Sequence, residues 1–331
     1  METHPVGAES RLLLAVDAGG TGTRATIARA DADGQVHPLG GGAAGPGNPL
    51  SAGFDHAVEA IEAAIAEARR HAGCEQQPLD AALLAVAGAA SGEMHRRVSE
   101  WGRQRRLAGR VDAVADWAPV LAAAGPGPAL GIISGTGSVA IARGAAGAPC
   151  FAGGWGYLLG DDGSGYSLGR AAVRAVLAEA EAAAPASELA QSVLARFDAS
   201  DVALVPGVIH RLPQARTQIA SLASVVIGLA AGGDSRCLSL IANAAQELGE
   251  IGARAARRAG VAGGEVSLAL AGGVLTHCEP LRDGVRRALL DGGVAVRGVE
   301  VVYDATLGGL LLAAAACDPQ VHWRITPGSR K

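Results

Sequence analysis

Aromatic residues are scarce: Phe, Trp and Tyr together supply 3% of the 331 positions. Gly contributes 48 residues and Ala fills most apolar positions, so helices must pack closely through small side chains. Basic charge shows no excess either. A formal net charge of −4 argues against a nucleic-acid partner, which needs a basic face. The five cysteines (Cys74, Cys150, Cys237, Cys278, Cys317) are odd in number and widely scattered. That excludes a disulfide scaffold and a CxxC metal knuckle, and it fits a reducing compartment. The eight histidines have no metal-ligand spacing.

Long apolar runs are also missing. Trp117–Ala142 is uncharged, but Pro119, Gly125–Pro128 and Gly135–Ser138 interrupt it, and Thr217–Gly233 falls short of the ~20 residues a membrane span needs. Both read as buried elements, with no membrane partner. Met1–Ser10 is polar, and the apolar run Leu12–Val16 ends at Asp17, too short for a signal-peptide core. A cytoplasmic location is expected.

The 49% hydrophobic and 18% charged content describes a folded protein with room for two domains. Leu12–Val16 reads as a strand, Asp17–Thr23 as a Gly/Thr turn and Arg24–Arg29 as a second strand. Phe54–His71 has helical spacing of Phe54, Val58, Ile61 and Ile65. Leu83–Val86 and Val111–Val114 are short strands on either side of a helix around Glu93–Arg106, the second leading to Asp116. After Gly125–Pro128 the opening recurs: strand Leu130–Ile133, turn Ser134–Ser138, strand Val139–Ala142. Helices follow at Ser167–Ala184, Ser187–Phe197, Thr217–Ala231 and Ser235–Ala259. Strand Val266–Ala271, strand Val299–Tyr303 and helix Thr306–Ala316 close the pattern. Alternating strands and helices imply an α/β fold. The repeated strand–turn–strand unit implies a duplicated domain with a cleft between the copies. The boundaries expected are 1–117 and 118–331, with the closing helix packing back on the first lobe.

Three glycine motifs carry candidate chemistry. Asp17-Ala18-Gly19-Gly20-Thr21-Gly22-Thr23 offers backbone N–H groups and hydroxyls to an anion, and an acidic strand end suits the Mg²⁺ that accompanies phosphates. A hairpin capped by Asp17 would look the same. The stretch is neither a Walker A loop nor GxGxxG. Ser134-Gly135-Thr136-Gly137-Ser138 is the second turn, and two such hairpins suit a chain of phosphates. Ala271-Gly272-Gly273-Val274, at a strand-to-helix junction, leaves space for a flat ring or serves as a packing turn.

In this order the motifs resemble the sugar kinase/Hsp70/actin superfamily. Within it the chain is similar to the N-acetylglucosamine kinase and BadF/BadG-type ATPase family, from Leu12 to about Ala316. The most specific stretch is Gly153–Tyr166, GGWGYLLGDDGSGY, with Asp162 where that family often has Glu. The resemblance implies duplicated ribonuclease H-like (actin-like ATPase) domains, ATP and Mg²⁺ as cofactors, an amino sugar as substrate and a homodimer. It implies that Asp17 orients Mg²⁺, that Gly19, Gly20, Thr21, Gly22 and Thr23 hold the distal phosphates, and that Gly135, Thr136, Gly137 and Ser138 form the second phosphate loop. Gly272 and Gly273 become the adenosine loop. Asn48, in Gly45-Pro46-Gly47-Asn48-Pro49, and Gly154 meet the sugar. Asp161 accepts a sugar hydroxyl, and Asp116 is the catalytic base. A carboxylate in that place takes the proton from a hydroxyl that is otherwise a poor nucleophile. Alone, Asp116 reads as a helix N-cap and Asn48 as a turn residue, and Trp155 as a core support for the Gly-rich loop rather than a stacking face for a sugar.

The activity implied is phosphorylation of N-acetylglucosamine at its 6-hydroxyl, with glucosamine and N-acetylmuramic acid as alternative acceptors. A dehydratase-activating ATPase of the same superfamily uses cluster cysteines close in sequence. Here Cys150 stands alone mid-chain, and one Cys per subunit cannot supply a Cys₄ site in a dimer. A sugar-sensing regulator would need a DNA-binding segment, for which there is no room before Leu12. The ROK hexokinases share the Asp-x-Gly-Gly-Thr loop but carry a Cys-rich zinc motif that this sequence lacks.

Overall fold

The computed structural model describes residues 10–89, 92–144 and 148–326. The chain runs β1 (Arg11–Ala18), β2 (Thr23–Ala30), β3 (Gln35–Ala44), α1 (Pro49–Ala52), α2 (Phe54–Ala72), β4 (Ala81–Val86), α3 (Gly92–Gln104), β5 (Arg110–Ala115) and α4 (Trp117–Ala123). There follow β6 (Ala129–Ser134), β7 (Ser138–Arg143), β8 (Cys150–Gly153), α5 (Gly165–Glu181), α6 (Glu188–Phe197), α7 (Val205–Arg211), α8 (Ala215–Ala220), α9 (Leu222–Ala231) and α10 (Ser235–Arg258). The last elements are β9 (Glu265–Ala271), α11 (Gly273–Thr276), α12 (Glu279–Asp291), β10 (Ala295–Val302), α13 (Ala305–Cys317) and β11 (Arg324–Ile325).

Two compact units result. One comprises the chain up to Ala123 together with the chain from Asp304 onward; the other is Ala124–Tyr303. In the first, strand order is β11-β3-β2-β1-β4-β5, and in the second β8-β7-β6-β9-β10. Each sheet starts from an antiparallel hairpin, β1–β2 or β6–β7, extended antiparallel on one side and parallel on the other. The repeat legible at the two Gly turns is therefore a repeat of whole-sheet topology.

In the first unit β1 alternates between two cores. Leu14 and Val16 pack with Ile61, Ile65 and Trp101 of α2 and α3, while Leu13 and Ala15 pack with Leu310, Ala313 and Ala314 of α13. This is the two-residue period of a strand buried on both faces. β3 has the composition of a turn, with Pro38 and Gly40–Gly42, yet it is a full strand. A Cβ on Gly40 would lie 2.7 Å from the backbone of His71, and one on Gly42 2.6 Å from the backbone of Ala68. The missing side chains let α2 lie directly on β3.

The unit boundary falls after Ala123 rather than after Trp117, because α4 packs on α13. There Gly308 meets the carbonyl of Pro119 so closely that no Cβ would fit. The segment after the closing helix also lies in the first unit, where β11 pairs with β3.

In the second unit one core joins the sheet to α5, α6, α9, α10 and α12. The single helix expected over Thr217–Ala231 divides into α8 and α9 around Ser221, whose hydroxyl donates to the Gln218 carbonyl at 2.7 Å. No single helix among the described residues is long and apolar enough to cross a membrane.

Candidate functional site

In the first unit the candidate groups lie at the ends of β1 and β5 and at the start of α13. Asp17 ends β1 opposite Arg24 of β2, and the turn beyond it closes through Gly19 N–H donating to Gly22 O at 2.9 Å. Gly20 and Thr21 are exposed, and a Cβ on Gly20 would meet nothing within 4 Å. Asp116 is exposed at the end of β5, just before α4. Its carboxylate accepts from its own N–H and from that of Trp117, while desolvation raises its pKa above the ordinary carboxylate range. Asp17 is half-buried, and its pKa is pushed up to about 6, first by desolvation, then by the charges of Asp116 and Asp304, with Arg24 opposing.

Asp304 is the residue that sequence reasoning missed. It caps α13, accepting from Thr306 N–H at 3.0 Å and from the Thr306 hydroxyl at 2.7 Å. Thr306 in turn shares a buried 2.6 Å hydrogen bond with Thr26 of β2. An Asp two residues before a Thr at the start of an apolar helix is a readable cap signal, but its proximity to Asp17 is a property of the fold.

Asn48 caps α1, its side-chain oxygen accepting from Leu50 N–H at 2.9 Å, so the amide nitrogen is the atom left to meet a ligand. Gly47 donates to Gly19 O at 2.9 Å, and the Thr23 hydroxyl donates to Gly45 O at 2.9 Å. The Gly45–Asn48 loop and the first Gly turn are thus tied together. Thr23, expected at a phosphate, is buried and spends its hydroxyl on that tie.

In the second unit, segments far apart in sequence converge on the Gly135–Ser138 turn. Gly165 N–H donates to Gly135 O at 2.7 Å, and the Ser134 hydroxyl donates to Gly163 O at 2.9 Å. Gly272, at φ 90°, lies against the Ser134 carbonyl with no space for a Cβ. The second and third glycine motifs are therefore one construction. Ser138 departs from its expected phosphate role: its hydroxyl donates to Asp162 O at 2.6 Å and its N–H to Asp161 Oδ1 at 3.3 Å. Glu247 of α10 accepts from Gly163 N–H at 2.6 Å and fixes the next turn of the loop.

Asp161 is buried in left-handed backbone, φ 60°, a conformation Asp tolerates better than most residues. Its carboxylate is taken up by Ser138 N–H and, at 3.0 Å, by the Arg216 guanidinium. The sugar acceptor expected at Asp161 is here the buttress of the second turn. Gly154 has φ 73° and is exposed, and the adjoining Trp155 is 73% exposed, so Trp155 is not the core support its neighbourhood suggested. Gly273 is exposed with open space around its Cβ position.

Comparison with known proteins accords with this construction. The family model described as the BadF/BadG/BcrA/BcrD ATPase family matches residues 14–313. A protein of Clostridium acetobutylicum named N-acetylmuramic acid/N-acetylglucosamine kinase is 26% identical over 310 residues, which cover 93% of this chain and 100% of that protein. The solved structure of a Chromobacterium violaceum protein, named for an expected N-acetylglucosamine kinase activity, superposes with a TM-score of 0.70 at 28% identity, covering 92% of this chain and 99% of that one. A ROK family glucokinase from Streptomyces griseus, solved with glucose and AMPPNP, gives a TM-score of 0.59 at 19% identity over 93% of this chain and 99% of that one. That last likeness concerns the fold.

Proposed function

The chain belongs to the BadF/BadG/BcrA/BcrD ATPase family, and from that premise we propose that it is an ATP-dependent amino-sugar kinase. The acceptor is the 6-hydroxyl of N-acetylglucosamine, with N-acetylmuramic acid the second acceptor favoured by the name of the Clostridium relative. The observation that carries the reading is Asp116. It is an exposed carboxylate at a strand end, and desolvation raises its proton affinity above the ordinary range despite two opposing backbone N–H groups. Those are the properties of a general base for a hydroxyl.

The remaining roles follow from what each group has free. Backbone N–H groups of the two Gly turns receive phosphate oxygens, because no side chain at Gly20 or Gly135 stands in the way. Asn48 offers its amide N–H₂ to a ring hydroxyl. In the second unit the exposed Gly154 segment is another candidate contact. Gly273 leaves space for the adenosine. The sugar role of Asp161 is not carried over, since its carboxylate is already engaged.

Mg²⁺ fits the residues present. The negative charges of Asp116 and Asp304 act on Asp17, opposed by Arg24, so Asp17 sits where a cation would be welcome. Among the described residues no three such side chains are placed to ligate a metal directly, so Asp17 would hold it through water. When bound, the ion supplies charge neutralisation to the phosphates.

ADP release across a panel of amino sugars and hexoses tests the reading. N-acetylglucosamine should be the best acceptor, with glucose discriminated roughly 10–200-fold if only the acetyl methyl is read, and by up to about 10⁴ if the amide is hydrogen-bonded. Higher kcat/KM on glucosamine would replace the acetyl reading, and silence on every sugar would end the kinase reading. Asp116→Asn should lower kcat by on the order of 10²–10⁴ with little change in affinity for an ATP analogue. Near-normal turnover would remove Asp116 from the mechanism.

A further inference from the structure

The full sequence contains a single lysine, Lys331. A cationic side chain that meets a polyphosphate within the folded units must therefore be an arginine. Arg216, in the first turn of α8, stands against the second glycine turn. A Cβ on Gly137 would lie 3.0 Å from Arg216 Nη2 and 2.8 and 2.9 Å from the two Asp161 carboxylate oxygens. The turn has no side chain at that position because the ion pair lies directly beneath it.

The pair is asymmetric. The Asp161 side chain is 5% exposed and the Arg216 side chain 42% exposed, so the negative partner is interior and the guanidinium reaches the surface. The recorded bond to Asp161 uses Nη2, one of the nitrogens of a group with five N–H donors in a fixed fork. The Arg216 guanidinium lies 5.3 Å from the ring centre of Tyr157, and that ring meets Tyr166 edge-on at 5.2 Å. Tyr166 N–H donates to Thr136 O at 3.3 Å, which brings the aromatic support back to the same turn. Asp162 and Glu247 place further negative charge along this loop, with Arg170 opposing. A polyphosphate arriving here needs a counter-charge that the backbone N–H groups alone do not supply.

We infer that Arg216 is a phosphate-binding residue, holding the polyphosphate of the nucleotide over Gly137 while its Nη2 stays anchored on Asp161. This rests on the proposed nucleotide use of the Gly135–Ser138 turn and adds to it a side chain that the glycine motif does not contain. Asp161 is then a positioning residue: it fixes the guanidinium, and its burial keeps the fork aimed outward.

The test is direct binding of adenylyl imidodiphosphate with Mg²⁺ by calorimetry, without sugar, to the full chain. Arg216→Gln should weaken binding about 10- to 100-fold, the range for losing a charged hydrogen bond or two, and Arg216→Lys should recover part of it. If the arginine only neutralised Asp161, the double variant Asp161→Asn with Arg216→Gln would bind like wild type. The inference expects the double variant to remain as weak as Arg216→Gln. Near wild-type binding by either Arg216→Gln or the double variant overturns it. Melting curves establish that each variant is folded, and Arg216→Lys serves if the glutamine variant is not. Absence of binding to the wild-type chain would instead overturn the nucleotide reading on which this rests.

Discussion

Asp17 shows how three carboxylates on separate elements act on one proton. Its folded value of about 6 stands above the ordinary aspartate value of 3.8, so between those values the folded state holds more protons than the unfolded one. The stability this contributes is complete below about pH 4 and is lost as pH rises through 6. The ceiling on the loss is about 3 kcal/mol, at 1.36 kcal/mol for each pH unit between the two values. In EDTA, melting temperatures of the wild type and Asp17→Asn should diverge between pH 4 and 6.5, with the wild type falling relative to the variant; parallel curves would count against this. Asp17 and Asp116 were legible because each ends an apolar strand in a recognisable order. Asp304 was not: a closing helix that packs back on the first lobe is readable, but nothing in the local sequence says that its cap lies within reach of Asp17. The resemblance places Thr23 and Ser138 in phosphate loops, and only the geometry reveals that their hydroxyls hold loops together.

Among the elements, those with a clear period were readable: the hairpins β1–β2 and β6–β7, and the long helices α2, α5 and α10. β3 was hidden because its glycines, which normally announce turns, are there to admit a helix backbone. α12 was passed over, although Leu281, Val285, Ala288 and Leu289 lie buried at helical spacing; Pro280 and Gly284 blur its start. A substitution pair checks the account of β3. Gly42→Ala should destabilise by about 1–3 kcal/mol, the range for overpacking, because its Cβ meets the backbone of Ala68. Gly45→Ala, with open space at its Cβ, should stay within about 0.5 kcal/mol of wild type. Urea melts of equal midpoint for the two would remove close packing as the reason for the glycines.

At the level of the whole molecule, the first unit is assembled from two stretches of chain, with the second unit, Ala124–Tyr303, lying between them in sequence. Ending the chain at Tyr303 would strip Leu310, Ala313 and Ala314 from the face of β1 that carries Leu13 and Ala15. That product should lose the cooperative melting of the first unit, whereas the segment 124–303 expressed alone should melt cooperatively on its own core. Retention of both transitions in the shortened chain would show that α13 is dispensable. The same interruption sets a timetable on the ribosome. Roughly 180 residues separate β5 and α4 from the helix that completes their sheet, which at about 5–20 residues per second is on the order of ten to forty seconds of synthesis. For that interval the nascent first unit presents an uncovered apolar sheet face, and the second unit, contiguous in the chain, is fully synthesised before that face is covered. The later unit can therefore mature first, and the earlier one waits for its final helix to emerge before its core is complete.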